Sequence, residues 1–201
     1  MHIDASPFDA LTLRNITNIM AAKEDLIYKA LQVSVARQHR WCQPVEQRFL
    51  DDLNSWYHCL NLHSVFQKGT VEFQLFNGTV HAGKIKAYIQ FCLAIGAQAL
   101  NQSCASRRKT VTENEKYTFH TWLLRLGLIG DEFKTARGHL LEHLDGCIAW
   151  KDPAQALAQK ERMRQKKEKE MAEAAERQAV AEGHTEKQEA REESPAFTMS
   201  M

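Results

Sequence analysis

Asn61-Leu62-His63-Ser64-Val65-Phe66-Gln67-Lys68-Gly69-Thr70-Val71-Glu72-Phe73-Gln74-Leu75-Phe76-Asn77-Gly78-Thr79-Val80-His81 is the stretch from which the fold is read. From Val71 to Phe76 the side chains alternate, so Val71, Phe73 and Leu75 share one face and Glu72 and Gln74 the other. This is the pattern of a half-buried strand with a polar outer face. Asn77-Gly78 is a pair that tolerates positive φ, and it predicts a type I′ hairpin turn. Upstream the arrangement repeats, with Leu60 and Leu62 on one side of a second strand and Asn61 and His63 on the other. Pairing of the two strands would bring Asn61, His63, Glu72 and Gln74 onto one surface.

Around this core the chain reads as mostly helical. Ser6 is a candidate N-cap with Pro7 at the first helical position, followed by the apolar series Leu11, Ile16, Ile19, Met20, Ile27 and Leu31. That series predicts one long helix, or two joined near Ala21-Ala22. Gly83 leads into a helix bearing Ile85, Tyr88, Ile89, Cys92, Ile95 and Ala99, apolar over enough of its circumference to be largely buried. Thr112 and Glu115 have capping-box spacing, Gly127 is a candidate left-handed terminator, and a last helix is predicted from about Asp131 to Leu144. The short connection between these last two helices fits a helix-turn-helix, but Lys134 and Arg137 stand beside Asp131, Glu132 and Glu142. A packed helix pair is therefore expected, not a DNA reader.

Beyond Pro153, alanine, glutamine, glutamate, lysine and arginine dominate, with pairs such as Glu173 and Arg177 at i,i+4 spacing. The expected division is a folded body over residues 1–152 and a charged helical or disordered tail over 153–201. Met163, Met171 and Val180 do not make a heptad seam. Lys160, Arg162, Arg164, Lys166, Lys167 and Lys169 form a basic cluster interrupted by Glu161 and Glu168, which reads as a solvated face before it reads as a nucleic-acid contact.

A formal net charge of +1 argues against a surface built throughout for polyanions. The sequence contains no apolar run of membrane-spanning length, and its start lacks the basic and apolar regions of a secretory signal. Cys42, Cys59, Cys92, Cys104 and Cys147 are odd in number and have no Cys-x-x-Cys spacing, so reduced thiols and a cytoplasmic location are expected.

The segment around Asn61-Leu62-His63, Gly69-Thr70-Val71-Glu72-Phe73 and Lys84-Ile85-Lys86-Ala87-Tyr88-Ile89-Gln90 resembles the C-terminal half of the amidoligase family. Similar stretches flank it, at Leu13-Arg14-Asn15 and Lys23-Glu24-Asp25-Leu26 before and at Glu113-Asn114-Glu115-Lys116-Tyr117 and Gly130-Asp131-Glu132-Phe133-Lys134-Thr135-Ala136-Arg137 after. The resemblance implies an ATP-dependent carboxylate-amine ligase related in fold to glutamate-cysteine ligase and glutamine synthetase. It implies an α+β, helix-rich fold in which the hairpin is part of a larger antiparallel sheet. ATP and Mg²⁺ follow from the same resemblance, because such ligases activate the acid as an acyl phosphate. It also implies Glu72 as catalytic residue and metal ligand, His2 as a second catalytic residue, and Asn61, His63, Gln74 and Asn77 as substrate- or phosphate-binding groups.

Met1-His2-Ile3-Asp4-Ala5 resembles the end of a family His-x-His-x-Asp-Ala segment, so the chain is expected to act with an upstream polypeptide, by self-association or as a shortened form. Gln74 and Trp56 stand where the family has arginines, and neither offers a bidentate phosphate fork. The other function classes that stay open are a non-catalytic binding or scaffold module and a nucleic-acid accessory protein. His58, His81, His120, His139 and His143 carry no signal beyond ordinary surface or capping histidines.

Overall fold

The computed structural model describes residues 1–45 and 55–192. The chain forms two compact units, Met1–Pro153 and Ala154–Met201. The first is α+β and helix-rich, with a three-stranded antiparallel sheet ordered β1-β3-β2. Its strands are β1 (His2–Asp4), β2 (Leu60–Asn61) and β3 (Thr70–Phe73). Val71, Phe73, Leu75 and Leu60 are fully buried, as the alternation demands, and they share one core with Ile16, Met20 and Ile27 of α1 (Ala10–Ala30) and Phe91 and Ile95 of α4 (Ala82–Asn101). Burying one such side chain stabilises the fold by about 1.5 to 3 kcal/mol.

β1 lies close on α4. A Cβ at Gly96 would meet Ile3 Cδ1 at 3.0 Å, so the missing side chain lets strand and helix approach. Helix α1 is a single helix. It is capped by Asp9, not Ser6, through a reciprocal box with Thr12: Thr12 N donates to Asp9 Oδ1 at 2.8 Å and Asp9 N to Thr12 Oγ1 at 2.8 Å. A short α2 (Val35–Arg40) follows, capped by Ser34.

The connection from β2 to β3 differs from the predicted extended strand. Leu62 and His63 do not continue β2, because His63–Lys68 winds into α3 and Gly69 closes it with φ of 65°, a left-handed conformation that glycine adopts without strain. Asn77-Gly78 makes no hairpin turn. Neither residue has positive φ, and residues 74–81 run without regular structure to α4. The physical cause is Arg37, whose guanidinium donates to Gln74 O (2.9 Å), Phe76 O (3.2 Å) and Asn77 Oδ1 (2.6 Å). Asn77 Nδ2 in turn donates to Leu31 O and Gln32 O, both at 3.2 Å, at the end of α1. Long-range bonds thus hold the segment open where local turn chemistry favoured a reversal.

Helices α5 (Glu115–Arg125) and α6 (Lys134–Leu141) pack together, with α6 also against α4. Asn114, not Thr112, caps α5, accepting from Tyr117 N at 3.0 Å. In the second unit α7 (Pro153–Glu192) is one long helix with internal i,i+4 ion pairs, Arg164–Glu168 at 3.5 Å and Lys166–Glu170 at 3.7 Å. No helix among the described residues is long and apolar enough to cross a membrane.

Candidate functional site

The register of the sheet makes the site. Glu72 in the central strand faces His2 on one neighbour and Asn61 on the other. Because Val71 and Phe73 point into the core, Glu72 and Thr70 project from the opposite face, and the antiparallel pairing sets Asp4 across from Thr70 on the same surface.

Asn61 Nδ2 donates to Glu72 Oε2 at 2.8 Å, while Asn61 Oδ1 accepts from the backbone N–H of His63 at 2.9 Å. A backbone N–H can only donate, so the amide oxygen must face His63 and its NH₂ must face the carboxylate. Asn61 is buried, and Ser64 Oγ donates to Asn61 O (3.1 Å) and Thr70 O (2.7 Å), tying the start of α3 to the sheet. The Glu72 carboxylate therefore rests on a fixed donor. Its other oxygen lies 3.4 Å from His2 Nε2, and His2 Nδ1 is 3.0 Å from Thr70 Oγ1. The imidazole is held at both nitrogens yet its side chain stays 40% exposed.

Asp4 was not singled out from the sequence, although His2 and Asp4 have the i,i+2 spacing of one strand face. Its carboxyl is held below the usual range by the Ser6 hydroxyl and then by the Ser6 N–H. Two carboxylates, one imidazole and one amide thus share the face.

The remaining expected site residues stand differently. The His63 ring packs on Trp56 at 4.3 Å between centroids, and Gln74 Nε2 donates to Trp56 O at 3.1 Å, so both side chains are engaged by Trp56. Asn77 is drawn away to Arg37 and the end of α1.

Mg²⁺ takes one or two carboxylates together with waters and phosphate oxygens. Glu72 and Asp4 are oxygen donors of that kind, and in this structure their oxygens are held by Asn61, His2 and Ser6. A cage of three or more His, Cys, Asp or Glu side chains is absent among the described residues.

The sequence model of one family, described as "putative amidoligase enzyme", matches the chain over residues 1–56 and 51–96. No curated protein and no solved structure matches it. All four residues of the polar face lie within the matched segments.

Proposed function

We propose, for a chain whose residues 1–96 match the amidoligase family, that the His2–Glu72–Asn61 face carries ATP-dependent ligation of a carboxylate to an amine. The observation that supports this most is the meeting of His2 and Glu72 across β1 and β3. Mg-ATP, when bound, supplies the phosphoryl group that activates the acid for attack.

The residues of the chain have separable roles in this reading. Glu72, held by Asn61 Nδ2, offers a hard oxygen to the divalent cation, and its placement on the central strand keeps it preorganised. Asp4, held by Ser6, adds a second oxygen donor on the same face. The amine must lose a proton as the amide bond forms. His2 is the acceptor at Nδ1, since Nε2 faces the Glu72 carboxylate and carries the ring hydrogen; Thr70 Oγ1, 3.0 Å from Nδ1, then accepts from the protonated ring, and exposure lets the proton pass to water. His63 and Gln74, both held by Trp56, are assigned to substrate positioning.

A second reading, a non-catalytic binding module, is favoured by one feature: both Glu72 oxygens already have protein partners, as a structural carboxylate does. Phosphate release separates the two. With Mg-ATP, hydroxylamine as the amine and L-glutamate, L-aspartate or succinate as the acid, release should depend on both acid and amine and disappear in Glu72→Gln. Release that is absent with every acid, or unchanged in the variant, supports the binding module instead.

A further inference from the structure

A cleft of about 430 Å³ opens between α1, α4 and α5 and shares no lining residue with the sheet site. Its wall carries Lys23 from α1, Gln98 from α4, and Thr121, Trp122 and Arg125 from α5. No carboxylate lines it, and among the described residues neither Lys23 nor Arg125 makes an ion pair. Two cations facing one half-enclosed space without a counter-charge repel each other.

Trp122 and Gln98 add donors to the wall. Trp122 Nε1 can only donate, and it does so to Gln98 Oε1 at 3.4 Å, which turns the Gln98 NH₂ outward with no protein partner among the described residues. Lys23 Nζ donates to Thr110 Oγ1 at 2.8 Å and lies 5.8 Å from the Trp122 ring centroid, so its ammonium is braced at the wall. Burial and then the Arg125 charge hold the Lys23 pKa down. An anion in the cleft would offset the repulsion and favour the charged ammonium.

We propose that this cleft binds a small organic oxyanion, a carboxylate or a phosphate monoester, with its head group between Lys23 and Arg125 and its body along the α5 wall. A volume of this size suits a small metabolite, and charge-assisted bonds to a guanidinium and an ammonium supply the selectivity.

The test is titration of the full ¹⁵N-labelled chain with benzoate, phenyl phosphate and uncharged benzamide, observing the Trp122 indole N–H. Benzoate or phenyl phosphate, or both, should shift that resonance saturably, and which of them binds tighter identifies the head group. Benzamide should not. Arg125→Gln and Lys23→Gln should each weaken binding by about tenfold or more, the loss expected for one charge-assisted hydrogen bond. Arg125 is exposed, so its variant is expected to fold even where Lys23→Gln does not. No shift with either anion up to about 20 mM, a range in which fragments of this size bind well-formed sites, would overturn the proposal. Equal binding of benzamide, or unchanged affinity in Arg125→Gln, would overturn it as well. None of these outcomes bears on Glu72, so the ligase reading stands or falls separately.

Discussion

His2 and Glu72 stand opposite each other on β1 and β3, with Nε2 3.4 Å from Oε1, although α1, α2 and α3 separate the two strands in the chain. Each is aimed by a second contact, Thr70 for the imidazole and Asn61 for the carboxylate. The polar face is thus an assembly of three strands, and its integrity depends on the buried side of the same sheet.

The two sides of β3 should respond differently to substitution. Phe73 is fully buried, and Phe73→Ala is expected to cost roughly 3 to 5 kcal/mol in denaturant unfolding. Glu72→Gln keeps an acceptor for Asn61 and should change stability by less than about 1 kcal/mol. A comparable loss in both variants would mean that Glu72 is part of the scaffold.

Glu24 provides the pH test. It is 2% exposed, and Lys109 Nζ lies 2.6 Å from Oε1 while Val45 N donates to Oε2 at 2.7 Å. Burial raises its carboxyl above the ordinary 4.5, with the Lys109 and Val45 bonds pulling back. A raised folded-state value means that stability falls as pH rises through it. Lys109→Met removes the stronger restraint and leaves a buried charge unpaired. The variant is expected to lose roughly 2 to 3 kcal/mol near neutral pH, less than the roughly 3 to 5 of a fully buried pair, because half of Lys109 is exposed. The deficit should close as pH falls toward 4.5, because Glu24 takes up its proton above that value in the folded wild type and higher still in the variant. A deficit independent of pH, in unfolding measured at several pH values, would remove Glu24 as its cause.

Arg37→Ala should release residues 74–81. It removes three hydrogen bonds to that segment, at a cost of about 2 kcal/mol. Amide exchange there is expected to quicken while β3 stays protected. Unchanged exchange would show that other contacts hold the segment.

Helix α7 spends part of its basic cluster on its own glutamates, through Arg164–Glu168 and Lys166–Glu170. Duplex DNA at physiological salt should therefore bind negligibly in a fluorescence anisotropy titration. Salt-sensitive binding would favour the nucleic-acid reading.

What could be read from the sequence was local. The alternation of Val71, Phe73 and Leu75 identified the buried face, and the convergence of Asn61 with Glu72 followed once the two strands were paired. Asn77-Gly78 misled because its turn preference is worth little beside the Arg37 bonds and the α1 carbonyls, which no nearby residue announces. The helix at His63 was detectable: Lys68 in a last turn followed by Gly69 is a helix stop. Nothing local could have paired Glu24 with Lys109, since the two meet only when the chain has folded.

The most direct test of the sheet site is calorimetric titration of Mg-ATP into the full chain, wild type against Glu72→Gln. Saturable Mg²⁺-dependent heat is expected from the wild type and its loss from the variant, with both melting at similar temperatures. Equal heat from the two proteins, or none from the wild type, would contradict the assignment of Glu72 to nucleotide and metal.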